Sequence, residues 1–342
     1  MARGTRFSHL INESRKMTKV IEEEFSFPVE FADGTCELRG FIFRPEELDD
    51  AARALPPVVF NSGFTGGVSM YGQLVGKALA GLGYRVTTYD VSGFFTNKDA
   101  RNTTKTGAQT VTNVSLEDQK TELLALIEWT RARFERMPAV ASWAMGSVAS
   151  LAAITELARR SAEQVPFYVP MNYTKLSALQ GLRADRAGAD AALKALDDDA
   201  AIPPFDTGTE ATKLGYYPLD PATQAYVDVQ LGDYTDVGGV DHWPGCSHVT
   251  AKSYKSYIAF DPEAELTSVS GTFPPALIIH GKQNTLHMPE ESERLYAVYP
   301  GEKGETAVII DGMEHGQQMQ ADHPVFQSMI SVIDAGIRAH SA

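Results

Sequence analysis

The chain has 342 residues, of which 43% are hydrophobic, and this is enough for one large α/β domain or two modest ones. Its formal net charge of −14 argues against nucleic acids and anionic membranes as partners, because both require a basic face, so we expect a small-molecule partner. The two cysteines, Cys36 and Cys246, cannot build a disulfide framework or a cysteine-rich zinc site. Because no signal-peptide pattern and no membrane-spanning run is found, we expect a cytoplasmic protein.

The first half of the chain alternates between strand and helix patterns. Period-two alternation on both sides of Asp33-Gly34 predicts a β-hairpin over residues 21–46. Ser115 and Asp118 match a capping box, which opens a helix that continues to about Phe134. The other patterns, in chain order, are a strand at 56–63, a helix at 71–83, strands at 84–93 and 138–143, and a helix at 145–160.

The alternation is interrupted at residues 173–262, where an alanine- and aspartate-rich helical segment precedes a region rich in Tyr, Gly and Pro. A structureless loop of that length is uncommon in a compact domain, so we interpret the segment as an inserted cap. The series on either side of the cap is completed by strands at 165–172, 274–281 and 306–311 and by helices near 289–299 and 323–339.

Strands that alternate with helices predict an α/β fold with a mainly parallel sheet and helices on both faces. We therefore predict one core domain formed by residues 1–172 and 263–342, with residues 173–262 as the cap or lid. In sheets of this kind the functional residues lie at the carboxyl ends of the strands.

Two groups in the predicted cap contain residue types that bind metals. We interpret the three aspartates at 197–199 as a solvated helix end. Asp241, His242 and His248 are interpreted as cap structure, because no further ligand follows them at a convincing spacing. The sequence therefore predicts no metal, and it predicts no cofactor.

Five short segments follow predicted strands in a characteristic order. Together they resemble the α/β-hydrolase superfamily, in particular its dienelactone-hydrolase and peptidase-like esterase branches. The resemblance covers roughly residues 25–340 apart from the cap, and it implies an α/β-hydrolase fold. The segments are NSGFTGG at 61–67, YDVSGFF at 89–95, SWAMGS at 142–147, HGKQN at 280–284 and GMEHG at 312–316.

The resemblance places three residues at the positions of a serine-hydrolase triad. SWAMGS matches the turn G-x-S-x-G, with Ala144 at the nucleophile position between the small residues Ser142 and Gly146. Asn284 stands where the pattern HGxxD has its acid, and His315 matches the histidine. An alanine cannot form an acyl-enzyme, so a covalent serine mechanism at this turn is excluded.

The resemblance also implies an oxyanion hole formed by the backbone N–H groups of Phe64 and Met145, which need only the turn geometry. His280 is interpreted as a structural residue at a strand end. Ser142 and Ser147 are not expected to replace the missing nucleophile, since one ends the strand and the other lies inside the helix turn. Side chains expected around an apolar substrate are Trp143, Phe94, Phe95 and His287.

Two explanations for the missing serine and acid remain open. In the first, the natural enzyme has serine at position 144 and aspartate at position 284, and this chain has been inactivated. In the second, the protein has naturally abandoned serine hydrolysis. The segments at 61–64 and 90–95 also depart from the usual family patterns, HGFTG and D-x-R-G-x-G, and this favours natural divergence.

These explanations lead to two classes of function. One is an enzyme that acts on a small, largely apolar acyl or carbonyl compound, as an inactivated serine hydrolase or as a non-covalent cyclase, lyase or hydratase-like enzyme. In the non-covalent case His315 is the general acid and base. The other is a catalytically dead binding protein or partner subunit that uses the old pocket for recognition. The apolar C-terminal helix docks on its own sheet or, in a homodimer, on a second subunit.

Overall fold

The computed structural model of the chain describes residues 19–63, 72–97, 100–101, 103–106, 109–175, 191, 194–202, 248–284, 287–315 and 321–340. The strands in these ranges are β1 (Val20–Phe31), β2 (Gly34–Pro45), β3 (Val58–Asn61), β4 (Val86–Tyr89), β5 (Thr103–Thr106), β6 (Gln109–Thr112), β7 (Ala139–Trp143), β8 (Tyr168–Met171), β9 (Ala201–Ile202), β10 (His248–Thr250), β11 (Ile279–Gly281) and β12 (Val308–Ile310). The helices are α1 (Asp50–Ala54), α2 (Gln73–Gly81), α3 (Leu116–Phe134), α4 (Met145–Arg159), α5 (Ala251–Ala259), α6 (Pro262–Ser268), α7 (Pro289–Val298) and α8 (Pro324–Ala339). A short 3₁₀ helix spans Phe95–Asn97.

The main sheet has eight strands in the order β1-β2-β4-β3-β7-β8-β11-β12. β1 and β2 form the predicted hairpin, and both the β1–β2 and the β2–β4 pairs are antiparallel. The remaining neighbours pair in parallel. The predicted mainly parallel sheet is therefore confirmed, and its antiparallel hairpin forms one edge.

The central strands are buried along their whole length, as parallel strands covered on both faces should be. α3 packs against α4, and α2 packs against α8, so that helices cover the two faces of the sheet. The apolar side of α8 is buried in this chain, because Phe326, Met329 and Ile333 have almost no exposed surface. No helix among the described residues is both long enough and apolar enough to cross a membrane.

The helix boundaries follow local signals in the sequence. Ser115 caps α3 by accepting a hydrogen bond from the Asp118 amide at 3.1 Å, and the Asp118 carboxylate accepts one from the Ser115 amide at 2.8 Å. This is the predicted capping box, which satisfies two amides at the start of the helix. α3 ends at Phe134, as predicted, and the next residue, Glu135, adopts a left-handed conformation with φ of 52°.

A second, smaller sheet was not predicted from the sequence. It has the strand order β5-β6-β10-β9 and joins residues 103–112 to strands from the predicted cap. α5 is also tied to the core, since the hydroxyls of Ser253 and Ser256 accept hydrogen bonds from the amides of Val114 and Leu116. The part of the predicted cap that the structure describes is thus anchored beside α3. The boundaries of the cap at 173 and 262 stay a prediction.

Candidate active site

Ala144 occupies a sharp turn between β7 and α4. Its backbone angles, φ of 54° and ψ of −124°, lie outside the regions that residues with a Cβ atom normally adopt. Its amide donates to the carbonyl of Met171 at 2.9 Å, and its carbonyl accepts from the amide of Ser147 at 2.9 Å. These bonds hold a strained elbow whose side chain is a methyl group. That this is the position of the nucleophile in serine hydrolases stays a prediction.

The elbow is pressed against the end of β3. A Cβ atom at Gly146 would overlap the carbonyl oxygens of Asn61 and Ser62. The Asn61 side-chain amide also donates to the carbonyl of Gly146 at 3.1 Å, and a Cβ added at Gly63 would lie 3.5 Å from the Ala144 methyl. Ser62 and Gly63, which follow β3, therefore border the elbow. The oxyanion hole itself stays a prediction.

The two predicted oxyanion-hole residues differ in what the structure describes. Met145 is the first residue of α4, and the first N–H groups of a helix have no acceptor within that helix. Phe64 lies outside the described residues. Of the predicted pocket residues, Phe94 is buried after β4, whereas the side chain of Phe95 is outside the described part of the chain.

Four buried hydroxyl groups lie next to the elbow and bond to one another. Ser150 donates to Ser142 at 2.7 Å and lies 2.8 Å from the Tyr168 hydroxyl, which donates to the carbonyl of Ser147 at 3.1 Å. The Ser147 hydroxyl donates to the carbonyl of Met171 at 3.0 Å. Ser142 and Ser147 thus take part in a buried network, and neither occupies the position of Ala144.

His315 follows β12 and is almost completely buried. Its ring packs on that of Trp143, the residue before the elbow, with 4.6 Å between the ring centroids. Burial lowers the pKa of His315 well below its ordinary value, and the neighbouring His287 and His280 lower it further. His315 is therefore neutral at pH 7 and lies beside the residues that form the elbow.

Asn284 connects His315 to the loop after β11. Its side-chain nitrogen lies 3.2 Å from Nδ1 of His315, and its side-chain oxygen accepts a hydrogen bond from the His287 amide at 2.9 Å. A Cβ at Gly281 would overlap the carbonyl of Met313, so the loops after β11 and β12 are in direct contact. The structure brings together Asn284 and His315 as the sequence predicts.

Two further histidines complete this cluster. The ring of His287 meets that of His315 edge to face, with centroids 4.6 Å apart, and its Nδ1 donates to the carbonyl of Asn172 at 2.9 Å. His280 donates from Nε2 to the carbonyl of His287 at 2.9 Å, and its Nδ1 is 2.7 Å from the Ser292 hydroxyl. Burial lowers the pKa of His280 to about 4. We name Asn284, His280, His287 and His315 the histidine cluster.

Sequence reasoning missed Asn172, which directly follows β8 in a left-handed conformation with φ of 48°. Its side-chain oxygen accepts from the amide of Gly281 at 2.9 Å, while its carbonyl accepts from His287. Asparagine tolerates this conformation better than most residues. An Asn directly after a buried strand was therefore the sequence signal that could have indicated this left-handed residue. Asn172 fixes both the loop after β11 and the ring of His287.

A second missed residue is Glu122 in α3, which is fully buried behind the loop after β4. Its carboxylate accepts a hydrogen bond from the amide of Ser92 at 3.4 Å. Burial raises the pKa of Glu122 to about 8, and the negative charge of Asp118 also raises it. The sequence carried no signal for this, because charged residues on a helix are usually exposed.

Within the described ranges, no group of three or more His, Cys, Asp and Glu side chains is arranged to hold a metal ion. Of the three aspartates at 197–199, Asp198 forms an ion pair with Lys255 at 2.7 Å. Asp241 and His242, the other cap residues considered as metal ligands, lie outside the described residues, as does the side chain of His248.

No protein-family model and no curated protein sequence matches this chain. Solved structures do match. A hypothetical protein from Pseudomonas aeruginosa, PA2218, has a TM-score of 0.62 at 16% identity, with 98% of this chain and 100% of that chain covered. The structure of DcsB in complex with its substrate analogue has a TM-score of 0.61 at 15% identity, with 93% and 100% covered.

A thermophilic esterase from Thermogutta terrifontis, with malate bound, has a TM-score of 0.56 at 13% identity and covers 94% of this chain and 100% of its own. Other matched structures are also esterases and lipolytic enzymes, which have the α/β-hydrolase fold. The sheet order, the strained elbow at Ala144 and these matches agree. The chain has the α/β-hydrolase fold.

Proposed function

We propose that this chain is an enzyme that converts a small, largely apolar acyl or carbonyl compound without forming an acyl-enzyme. One observation carries the proposal: a buried, oriented His315 stands beside an elbow that has kept its strained geometry but has no hydroxyl. The reaction is an addition of water, an elimination, a cyclisation or a change at a carbon–carbon bond, as in hydratases, lyases and cyclases.

The retained elbow supports a functional site. A residue such as Ala144, in a sparsely populated backbone region, costs of order 1–3 kcal/mol, and alanine gains nothing from that conformation by itself. The conformation does orient the start of α4, where the Met145 amide is placed. That amide, with the amide of Phe64, is proposed to bind the substrate oxygen on which negative charge develops.

The contacts of Asn284 define its polarity in the chain as it stands. Its side-chain oxygen accepts from the His287 amide, and its side-chain nitrogen lies 3.2 Å from Nδ1 of His315 and 3.3 Å from Nε2 of His280. An aspartate there would only accept, whereas the asparagine accepts at one end and donates at the other. The preference for natural divergence therefore rests on the unusual segments at 61–64 and 90–95.

Proton transfer by one positioned group contributes about 10²- to 10⁴-fold in rate, so useful catalysis is open to such a site without a nucleophile. The apolar ring of Trp143 against His315 suits a largely apolar substrate. Two matched structures contain small molecules, the malate of the Thermogutta terrifontis esterase and the substrate analogue of DcsB. These matches support a small molecule as the kind of substrate.

The test compares the wild-type chain with the variant His315→Ala. Lactones, thioesters and α,β-unsaturated carbonyl compounds with apolar chains are screened for binding by calorimetry and for conversion by mass spectrometry. We expect at least one to be converted, with a loss of about 10²- to 10⁴-fold in His315→Ala but retained binding. His340→Gln, at the exposed end of α8, is the matched control and keeps full activity.

The alternative function is a catalytically dead binding protein or partner subunit. It predicts that compounds bind to the wild-type chain and that none is converted. Conversion at the same rate by His315→Ala and the wild-type chain would also contradict the proposal, because it would remove the acid–base group from the mechanism.

A further inference from the structure

The side-chain amide of Asn284 has a defined orientation. Its oxygen accepts a hydrogen bond from the backbone amide of His287 at 2.9 Å, and a backbone N–H is always a donor. The other end of the same group must then be the NH₂, which lies 3.2 Å from Nδ1 of His315 and 3.3 Å from Nε2 of His280. His280 Nε2 donates to the carbonyl of His287, so of these two nitrogens only Nδ1 of His315 can accept from the NH₂. Asn284 is therefore a hydrogen-bond donor toward His315.

This orientation determines which nitrogen of His315 carries the proton. A neutral imidazole has one donor nitrogen and one acceptor nitrogen, and Nδ1 of His315 faces a donor. The proton of His315 is therefore on Nε2. An aspartate at position 284 would do the reverse, because a carboxylate accepts from Nδ1–H and leaves Nε2 as the basic nitrogen.

The neighbouring His287 has the opposite arrangement. Its Nδ1 faces the backbone carbonyl of Asn172 at 2.9 Å, and a carbonyl can only accept. The neutral ring of His287 thus has its proton on Nδ1 and its lone pair on Nε2. The rings of His287 and His315 are in edge-to-face contact, with 4.6 Å between their centroids.

We propose that these two histidines divide the proton chemistry: His315 donates a hydrogen bond from Nε2 to the substrate oxygen, and His287 is the base, through its Nε2. The inference rests on the proposed function, since it assigns roles within the same site. It makes Asn284 and Asn172 the positioning residues, each of which sets the tautomer of one histidine.

The assignment gives a balanced proton transfer. His287 Nε2 takes a proton from the carbon next to the substrate carbonyl, and the electron pair of that C–H bond moves to form the enolate. The negative oxygen is bound by His315 Nε2–H and the Met145 amide. The imidazolium of His287 keeps its bond from Nδ1–H to Asn172 and then returns the proton to the substrate at a different atom.

His315 is a poor base in this arrangement. Nε2 of His315 already carries the proton of the neutral ring, so it can act as a base only if that proton first moves to Nδ1. The Nδ1–H would then face the NH₂ of Asn284, and two donors would oppose each other in a site with almost no exposed surface. The buried hydrogen bond between Asn284 and His315 would be lost.

The proton positions can be measured without any substrate. In ¹⁵N-labelled full-length protein at pH 7.5, two-bond and three-bond correlations of the histidine rings distinguish the two tautomers. We expect His315 as the Nε2–H form and His287 as the Nδ1–H form, with assignments from His315→Gln and His287→Gln. In Asn284→Asp, His315 changes to the Nδ1–H form and His287 does not. His315 as the Nδ1–H form in the wild-type protein overturns the inference.

The role of His287 as base is tested by hydrogen–deuterium exchange at the α-carbon of phenylacetone in D₂O. We expect the wild-type protein to accelerate exchange and His287→Gln to lose at least about 10²-fold of that acceleration. The substitution keeps the backbone amide and carbonyl of residue 287, on which Asn284 and His280 depend. His340→Gln is the control and exchanges like the wild-type protein.

Exchange that is no faster with the wild-type protein than with His287→Gln overturns the assignment of the base. The two measurements separate the possible failures. If the tautomers are as inferred but neither His315→Ala nor His287→Gln changes the exchange rate, the proposed function is contradicted. If the exchange depends on His315 alone and His315 is in the Nδ1–H form, the proposed function stands and the assignment of His287 as the base is overturned.

Discussion

The elbow at Ala144 and the histidine cluster both stand at the carboxyl ends of the parallel strands, yet they respond differently to a changed side chain. At the elbow, the proposed function belongs to the backbone: Ala144, with φ of 54° and ψ of −124°, leads into α4, and its side chain is only a methyl group. In the cluster, the function belongs to side chains, and an amide at position 284 decides where the proton of its neighbour lies.

On the proposed function, the two parts of the site would tolerate substitution for different reasons. Backbone donors such as the Met145 amide need only a turn, and Gly146 and its close approach to Ser62 secure that turn. A histidine needs a partner of defined polarity, so one change from acid to amide alters its role. The next three predictions test this contrast, from the largest expected effect to the smallest.

The largest effect is expected when a serine at position 144 and an aspartate at position 284 are installed together. Ala144→Ser alone supplies a hydroxyl but leaves His315 in the tautomer that cannot accept its proton. Ala144→Ser with Asn284→Asp supplies the hydroxyl and the basic nitrogen. A misplaced tautomer costs about 10⁴-fold in serine hydrolysis, so the double variant should hydrolyse p-nitrophenyl acetate up to about 10⁴-fold faster than either single variant.

The control for this comparison is Ala144→Ser with Asn284→Leu, which removes the NH₂ donor but supplies no carboxylate. It should remain close to the Ala144→Ser variant. Equal rates for the single and the double variants would mean that the polarity of residue 284 does not limit the site. In that case the contrast between elbow and cluster would be wrong.

The second prediction concerns the elbow alone. In Gly146→Ala the new methyl group meets the carbonyl oxygens of Asn61 and Ser62, and backbone atoms cannot move aside as a side chain can. We expect a loss of about 3 kcal/mol or more in the free energy of unfolding, measured with urea. Gly304→Ala is the control, because its Cβ would have one neighbour at 3.9 Å. Overpacking typically costs roughly 1–3 kcal/mol. A loss below about 1 kcal/mol would therefore show that the backbone at the elbow can shift to accommodate the methyl group.

The same contrast explains what the sequence could predict. The hairpin at Asp33-Gly34, the capping box at Ser115 and the alternation of strands and helices are local signals, and the structure has all three. These three features depend on residues that are close together in the sequence. The elbow at Ala144 was predicted from the resemblance of SWAMGS to G-x-S-x-G, and its small Gly146 is explained by a contact with the distant Asn61 and Ser62.

The features that the sequence did not predict depend on distant contacts. β5, β6, β9 and β10 are two to four residues long, too short for a periodic pattern, and they form a sheet only because separate segments meet. The contact between His287 and His315 and the role of Asn172 arise where the loops after three strands converge. The buried position of Glu122 likewise appears only after α3 has packed.

The smallest effect is a difference in pH dependence. The native pKa of His280 is about 4, while an unfolded histidine titrates near its ordinary pKa of about 6.5. Between these values the unfolded chain binds a proton that the native chain does not, so this group makes the protein less stable as the pH falls. His280→Gln removes the effect, and its deficit relative to the wild-type protein should shrink by about 1.4 kcal/mol per pH unit below pH 6.5.

The elbow has no titratable side chain, so the stability deficit of Gly146→Ala should stay constant over the same range. Urea unfolding from pH 6.5 to 5 compares the two variants directly.

Glu122→Gln should change the pH dependence of stability in the opposite direction. The native pKa of Glu122, about 8, lies above that of an unfolded glutamate, so the wild-type protein loses stability as the pH rises between them and the variant does not. If His280→Gln and Gly146→Ala showed the same dependence on pH, the neutral histidines would not contribute to the stability of the cluster. The contrast between an elbow held by backbone contacts and a cluster held by side-chain polarity would then be wrong.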